Sequence, residues 1–347
     1  MRGRADRVAI TGATGFIGSH IVRAFCKRGI RPRCLARSSS DLSGLDGLDI
    51  EVRYGDIRDP ATLLDTFDGC RAVVHNAALV ADWGRTRDFY AINVRGTDNV
   101  MDACLQSGVR HIVMAGSNAV YGEEDSREIK DEDAPLSPHY RYFLDSVFPC
   151  KLNAYRDTKA LATVRASRFA SRHGLDLTIL DPVWVYGERE LRTLFCEYLQ
   201  TVKGGMKWMP GCGTNKFHVV YAGDLAEAYY AAYHKRLSGV HRVIIGDESA
   251  VPMRRIFRLF CSECGLEMPR SLPKIVVYPI SLAMEALYTA LGARRPPLLT
   301  RGRVNLFYDS IEYSVEKSKE FLNHVNRHTL ERGIEKTVSW YRQNGQL

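Results

Sequence analysis

The chain has 347 residues, 45% of them hydrophobic, more core than most single domains use, so one large domain with a lobe, or two domains, is expected. The net charge of +8 comes in short scattered groups such as Arg2 to Arg7 and Arg294-Arg295, which argues against nucleic-acid binding and for solubility plus attraction of a polyanionic cofactor. Nine cysteines, an odd number spread through helix-like and strand-like segments, suit buried thiols in a reducing cytoplasm rather than a disulfide framework, and no secretory signal opens the chain.

The first predicted element is Arg7-Val-Ala-Ile-Thr-Gly-Ala-Thr-Gly-Phe-Ile-Gly-Ser-His20, an apolar strand that breaks into glycines and continues as a helix. Gly12, Gly15 and Gly18 are spaced G-x-x-G-x-x-G. The first permits a tight turn, the second lets backbone N–H groups approach a pyrophosphate, and the third lets the helix pack closely with its N-terminus toward the phosphates. A dinucleotide is the expected ligand. The second strand, Arg33 to Ala36, ends where an acidic residue would bind the adenosine ribose. Arg37 and three serines stand there instead, a set suited to a 2′-phosphate, so NADP is favoured over NAD.

Ile50 to Tyr54 and Ala72 to His75 are the third and fourth strands. The latter runs into Asn76-Ala-Ala78, small residues that again let backbone approach a ligand. His111 to Met114 is the fifth, leading to Ala115-Gly-Ser117, and Leu175 to Leu180 precedes Pro182. Strands alternating with helix-length segments predict an α/β fold, a doubly wound parallel sheet with ligands beyond the strands' carboxyl ends. The expected division is a dinucleotide-binding domain over 1–182 with a return segment at 216–246, and a smaller substrate lobe from 183–215 and 247–347.

Tyr155 and Lys159 lie four apart on one helical face, where the cation can lower the phenol's ordinary pKa of about 10 toward working pH. Tyr313 and Lys317 share that spacing, but lie outside the nucleotide half and receive no role. Cys261 and Cys264 form a C-x-x-C in a predicted helix without partners, and His324 and His328 read as a solvated helical pair, so no metal is expected. The apolar stretch Ile275 to Ala293 contains Pro279 and Glu285. It reads as a packed helix rather than a membrane span, and membrane contact is not expected.

Taken together, these segments resemble the extended short-chain dehydrogenase/reductase family over nearly the full chain. The resemblance rests on Thr11-Gly-Ala-Thr-Gly-Phe-Ile-Gly18, Gly55-Asp56, Val74-His-Asn-Ala-Ala78, Asn93-Val-Arg-Gly-Thr97, Gly116-Ser-Asn-Ala-Val-Tyr-Gly122, the Tyr155/Lys159 pair and Asp181-Pro-Val-Trp-Val-Tyr-Gly187. It implies Tyr155 as general acid/base, Lys159 on the nicotinamide ribose, Ser117 on the substrate oxygen, and Asn93 in a helix kink or proton relay. It also implies cofactor contacts from Gly12, Thr14, Gly15, Phe16, Ile17, Gly18, Arg37, Asp56, Ile57, Asn76, Ala77, Ala78, Tyr155, Lys159 and Pro182. Two departures stand out: Ala115-Gly116 where serines are usual, and Asp181 where an arginine commonly precedes the proline.

Ala78 to Gly84 with Trp83, the 275 to 293 stretch and Pro296 to Arg301 resemble the 3β-hydroxysteroid dehydrogenase and 3-ketoacid reductase branch, implying a hydrophobic secondary alcohol or ketone as the small-molecule substrate. The alternative is a nucleoside-diphosphate-sugar epimerase or dehydratase, for which Asn215-Lys216 occupies the place of a diphosphate-gripping arginine. A third reading is a non-enzymatic dinucleotide sensor. Relatives of this family commonly pair as homodimers through the Tyr155 helix, where Ala160, Leu161, Ala162 and Val164 lie.

Overall fold

A computed structural model describes residues 7–122, 128–191, 194–211 and 213–347. Arg2, Arg4 and Cys212 lie outside the described residues. Seven strands form one sheet: β1 (Val8–Thr11), β2 (Arg33–Ala36), β3 (Glu51–Tyr54), β4 (Ala72–His75), β5 (His111–Ala115), β6 (Asp176–Pro182) and β7 (Val240–Ile245). Their order is β7-β6-β5-β4-β1-β2-β3, and every pairing is parallel.

The runs that mark β1 and β4 are continuously apolar because these strands are covered on both faces, whereas the edge strand β3 ends on the exposed Tyr54. Val8 and Ile10 pack with Ile21, Val22 and Phe25 on one side of the sheet. Ala9, Val73 and Ile112 pack with Leu63, Phe67 and Val100 on the other. The chain runs outward from β1 through β3, then returns to lay β4 on the opposite edge of β1, with Val8 beside Ala72 and Thr11 beside His75. The switch point between β1 and β4 is where such sheets place ligands. β6 extends through Asp181 and Pro182, past the predicted Leu180, because β7 pairs along it as far as Ile245 beside Pro182.

Beyond β6 the chain forms small two-stranded pieces: Trp184–Tyr186 with Val219–Tyr221, Lys216–Phe217 with Val251–Pro252, and Trp208–Pro210 with Arg270–Leu272. Phe195 stacks on Phe260 at 4.8 Å between centroids, within an aromatic group that includes Tyr186 and Phe257.

Two expectations need correcting. His324 and His328 lie past the end of helix Glu316–Leu322, not on a helix. His324 is buried against Asn326, and His328 Nδ1 donates to the carboxylate of the buried Asp224 at 3.0 Å. The apolar stretch does form a helix, Lys274–Ala290, but its buried residues are Val277, Ser281 and Glu285, while much of its apolar surface faces out. Glu285 turns inward because Arg301 meets it there, with both side chains fully buried.

Candidate active site

The glycine turn is shaped by contact with β4. Gly12 has φ +70°, and a Cβ there would lie 2.7 Å from the backbone nitrogen of Ala77, so the left-handed turn and the close approach of Asn76-Ala77 both require glycine. Helix Phe16–Cys26 begins at Gly15 with no side-chain cap, which leaves its first amide groups for an anion. Thr14, Phe16 and Ile17 are half-buried around this turn, and Gly18 is buried in the helix's first turn.

The other end of the cradle is more open. Arg37 is exposed, with Ser40 folded back to accept its backbone N–H. Asp56 accepts from the side chain and backbone N–H of Arg58, whose hydrogen bonds hold its carboxyl below the usual range. The buried Ile57 gives its carbonyl to Asn99. These residues follow β2 and β3 at the sheet's carboxyl edge, as a nucleotide lying across the switch point requires.

At the centre, the Tyr155 hydroxyl donates to Ser117 Oγ at 3.2 Å. Tyr155 and Lys159 sit on helix Leu152–His173, and Lys159 Nζ donates to the Ala115 carbonyl at 2.7 Å. The end of β5 thus receives both the phenol and the ammonium. Burial pushes Lys159 down to about 8, against the opposing pull of the Asp181 carboxylate. Asn76, half-buried, accepts weakly from the Tyr229 hydroxyl at 3.5 Å, and Ala77 N–H donates to Thr11 Oγ1 at 3.3 Å.

Asn93 lies in a wide π-helical turn, Tyr90–Arg95, the kind of insertion frequent at functional sites. Its amide brackets Leu79, accepting from the Leu79 N–H at 2.7 Å and donating to the Leu79 carbonyl at 3.1 Å, and it also donates to Thr158. A polar chain continues from Thr158 through Asn93 to Thr97, His75 and Thr11. It ties the Tyr155 helix to the strand that carries the glycine turn. Burial pushes His75 down to about 3, so the imidazole is neutral at working pH and serves this chain as a hydrogen-bond bridge.

Asp181, fully buried, is the centre of a second group. It accepts from the Ser117 N–H at 3.0 Å, the Tyr121 hydroxyl at 2.8 Å and the Arg242 guanidinium at 3.0 Å. Burial pushes its carboxyl up, and Arg242 and these hydrogen bonds oppose that push. Arg242 also lies over the Tyr121 ring at 4.5 Å. Sequence reasoning noted Asp181 but missed its partner. The signal was an arginine inside the apolar strand Val240–Ile245, adjacent in register to β6.

The family model described as "NAD dependent epimerase/dehydratase family" matches residues 8–246. The chain belongs to this family. Across 343 residues it is 27% identical to sterol demethylase protein B of Methylococcus capsulatus, covering 97% of this chain and 99% of that one. It is 26% identical over 335 residues to the 2-alkyl-3-oxoalkanoate reductase of Stenotrophomonas maltophilia, covering 94% and 97%. The solved structure of gox2253 is similar at a TM-score of 0.79 and 28% identity, with 99% of each chain covered. The epimerase/dehydratase chain is accordingly an NAD(P)-dependent enzyme, and its glycine turn and small Asn76 to Ala78 segment fit that dinucleotide.

The two departures from the family pattern are one feature. A Cβ on Gly116 would lie 1.8 Å from Asp181 Oδ1, so the carboxylate occupies the space that a serine at 116 would fill. Asp181 then takes over the Ser117 N–H, and Arg242 supplies the positive charge from the neighbouring strand.

Proposed function

We propose that this chain is an NADP-preferring oxidoreductase interconverting a secondary alcohol and a ketone on an apolar substrate of the sterol or 3-oxoalkanoate class. The observation that carries the chemistry is the hydrogen bond from the Tyr155 hydroxyl to Ser117 Oγ, with Lys159 held beside them at the end of β5. In this reading Ser117 and Tyr155 both address the substrate oxygen, and Tyr155 gives its proton to the forming alcohol or takes it from the alcohol being oxidised. A bound nicotinamide supplies or accepts the hydride. Lys159 holds the cofactor ribose and favours the phenolate, Asn93 positions Leu79 and the Tyr155 helix, and Gly12 to Gly18, Asp56, Ile57, Asn76 to Ala78 and Pro182 line the cofactor.

The substrate class is supported by the names of the two curated relatives and by the Lys216 environment. Asn215 is buried and donates to the carbonyls of Leu306 and Asp309, and the exposed Lys216 pairs with Glu312, so neither is set to grip a diphosphate. The substrate lobe is assigned to 183–215 and 247–347. The working form is taken to be a cytoplasmic homodimer joined through the Tyr155 helix, where Leu161 is exposed whereas Ala160 and Ala162 are used inside the chain.

The test is NADPH oxidation against a panel of apolar ketones and 3-oxoacids, beside a panel of sugar nucleotides. Turnover of the first panel that falls by about a thousandfold in Tyr155→Phe, with cofactor still bound, is expected. Near-normal turnover in that variant, or conversion of the sugar nucleotides alone, sinks the reading.

A further inference from the structure

Helix Lys274–Ala290 is built inside out. Its three buried residues include the polar Ser281 and Glu285, while Val276, Ile280 and Leu287 are exposed, as is Leu291 just past its end at 72%. These four lie at i, i+4, i+11 and i+15, which places them on one stripe. A second element is held on another face of the helix. The Tyr278 hydroxyl accepts the Phe143 N–H at 3.4 Å, and Arg301 donates to the carbonyls of Phe143 and Phe148, which fixes loop 142–148 against the helix. That loop leaves Phe143 64% and Val147 83% exposed. Four apolar side chains exposed along one stripe of a helix mark a docking surface rather than ordinary scatter.

Charge identifies what docks. From Ile275 to Ala293 the sole charged residue is Glu285, which is buried against Arg301. The exposed charges that follow the helix, just past Leu291, are both basic: Arg294 and Arg295. We propose that this face rests on an anionic lipid surface, with the helix lying in the interface and the arginines among the headgroups. Apolar insertion and cation pairing are the two contributions such surfaces combine. Among the described residues no helix is long and apolar enough to cross a membrane, and this one is clamped to the protein along its Glu285 face. A second copy of the chain would instead bring the same arginine-bearing rim against itself. Trp83 donates to the Ala293 carbonyl at 2.9 Å, so the docked helix is tied to the segment that follows β4 and Ala78.

The test is flotation of the full chain with vesicles of phosphatidylcholine alone or mixed with phosphatidylglycerol, across a salt series. The wild type is expected to float with the anionic vesicles and to be released by salt. Ile280→Glu/Leu287→Glu should lower the bound fraction by at least about tenfold with an unchanged circular dichroism spectrum and elution volume. Arg294→Gln/Arg295→Gln should lower anionic binding by about tenfold or more. Absence of vesicle binding by the wild type overturns the proposal, as does equal binding by the glutamate variant. Separation of a wild-type dimer by that variant, without any vesicle binding, assigns the face to a second copy. If the glutamate variant does not fold, the arginine variant and the salt series decide, and salt-insensitive binding unchanged by the arginine substitutions overturns the proposal. Flotation is read without turnover, so this outcome and that of the oxidoreductase reading are independent.

Discussion

Two carboxylate–arginine pairs with fully buried carboxylates, Glu285–Arg301 and Asp181–Arg242, differ in what else they hold. Glu285 and Arg301 are both fully buried, and the guanidinium spends its remaining donors on the carbonyls of Phe143 and Phe148. Every partner is structural, and the pair works as a clamp between a helix and a loop. Asp181 is equally buried, but Arg242 keeps 17% of its side chain exposed, and the carboxylate also holds the Ser117 N–H and acts on Lys159. The same two functional groups therefore fix a fold in one place and an electrostatic balance in the other. What decides between them is which neighbours share the carboxylate.

The largest effect should come from breaking the clamp. Arg301→Met leaves Glu285 buried without its partner and strands two carbonyls, which should cost about 3–5 kcal/mol of stability. Urea unfolding of the variant measures this, and a loss below about 1 kcal/mol would mean that the loop and helix relax enough to hydrate Glu285. The folded fraction should keep the wild-type pH–rate profile. A shifted profile would erase the distinction between the two pairs.

Asp181→Asn tests the other pair. The Asp181 charge raises Lys159 against a burial that has already brought it to about 8, so its removal moves Lys159 lower still. Activity that needs the ammonium is lost as pH rises through the Lys159 pKa, so the alkaline arm should move to lower pH by about one unit. Turnover at pH 7 should fall by about twofold, because an ammonium brought from about 8 to about 7 is only about half protonated there. A purely structural role for Asp181 would lower the rate equally at every pH, and an unshifted alkaline arm in steady-state kinetics would favour that account.

Legibility in the sequence followed distance along the chain. β1, β2 and β4 were readable because buried parallel strands are continuous apolar runs, and the glycine turn because its spacing is local. Tyr155 and Lys159 were readable by helical spacing, but the same spacing at Tyr313 and Lys317 shows the limit. Tyr313 lies before helix Glu316–Leu322, buried, with its hydroxyl donating to the Asn118 carbonyl. The contacts that set up the reaction centre join distant residues: Asp181 to Arg242, Gly116 to Asp181, His75 to Thr97, Asn93 to Thr158. No local pattern encodes these pairings, since each depends on which strands become neighbours. The outward apolar face of helix Lys274–Ala290 was hidden for a related reason. Its pattern looks simply hydrophobic until Arg301 draws Glu285 inside and turns the rest outward.

A third arginine gives the smallest effect and the sharpest control on the comparison. Arg37 is exposed after β2, and its influence on its neighbour Asp56 is a minor one beside that of Arg58. With no buried carboxylate depending on it, Arg37→Ala should change stability by no more than about 0.5 kcal/mol. Its proposed work is on the cofactor, where a guanidinium facing a 2′-phosphate contributes a charge-assisted hydrogen bond of about 1.5–3 kcal/mol. The variant should therefore lose about tenfold or more of its preference for NADPH over NADH, with NADH binding unchanged. Competitive titration of the two cofactors measures this. A wild type that prefers NADH, or a variant that loses both cofactors equally, would remove Arg37 from cofactor choice and leave its guanidinium as a solvated surface charge.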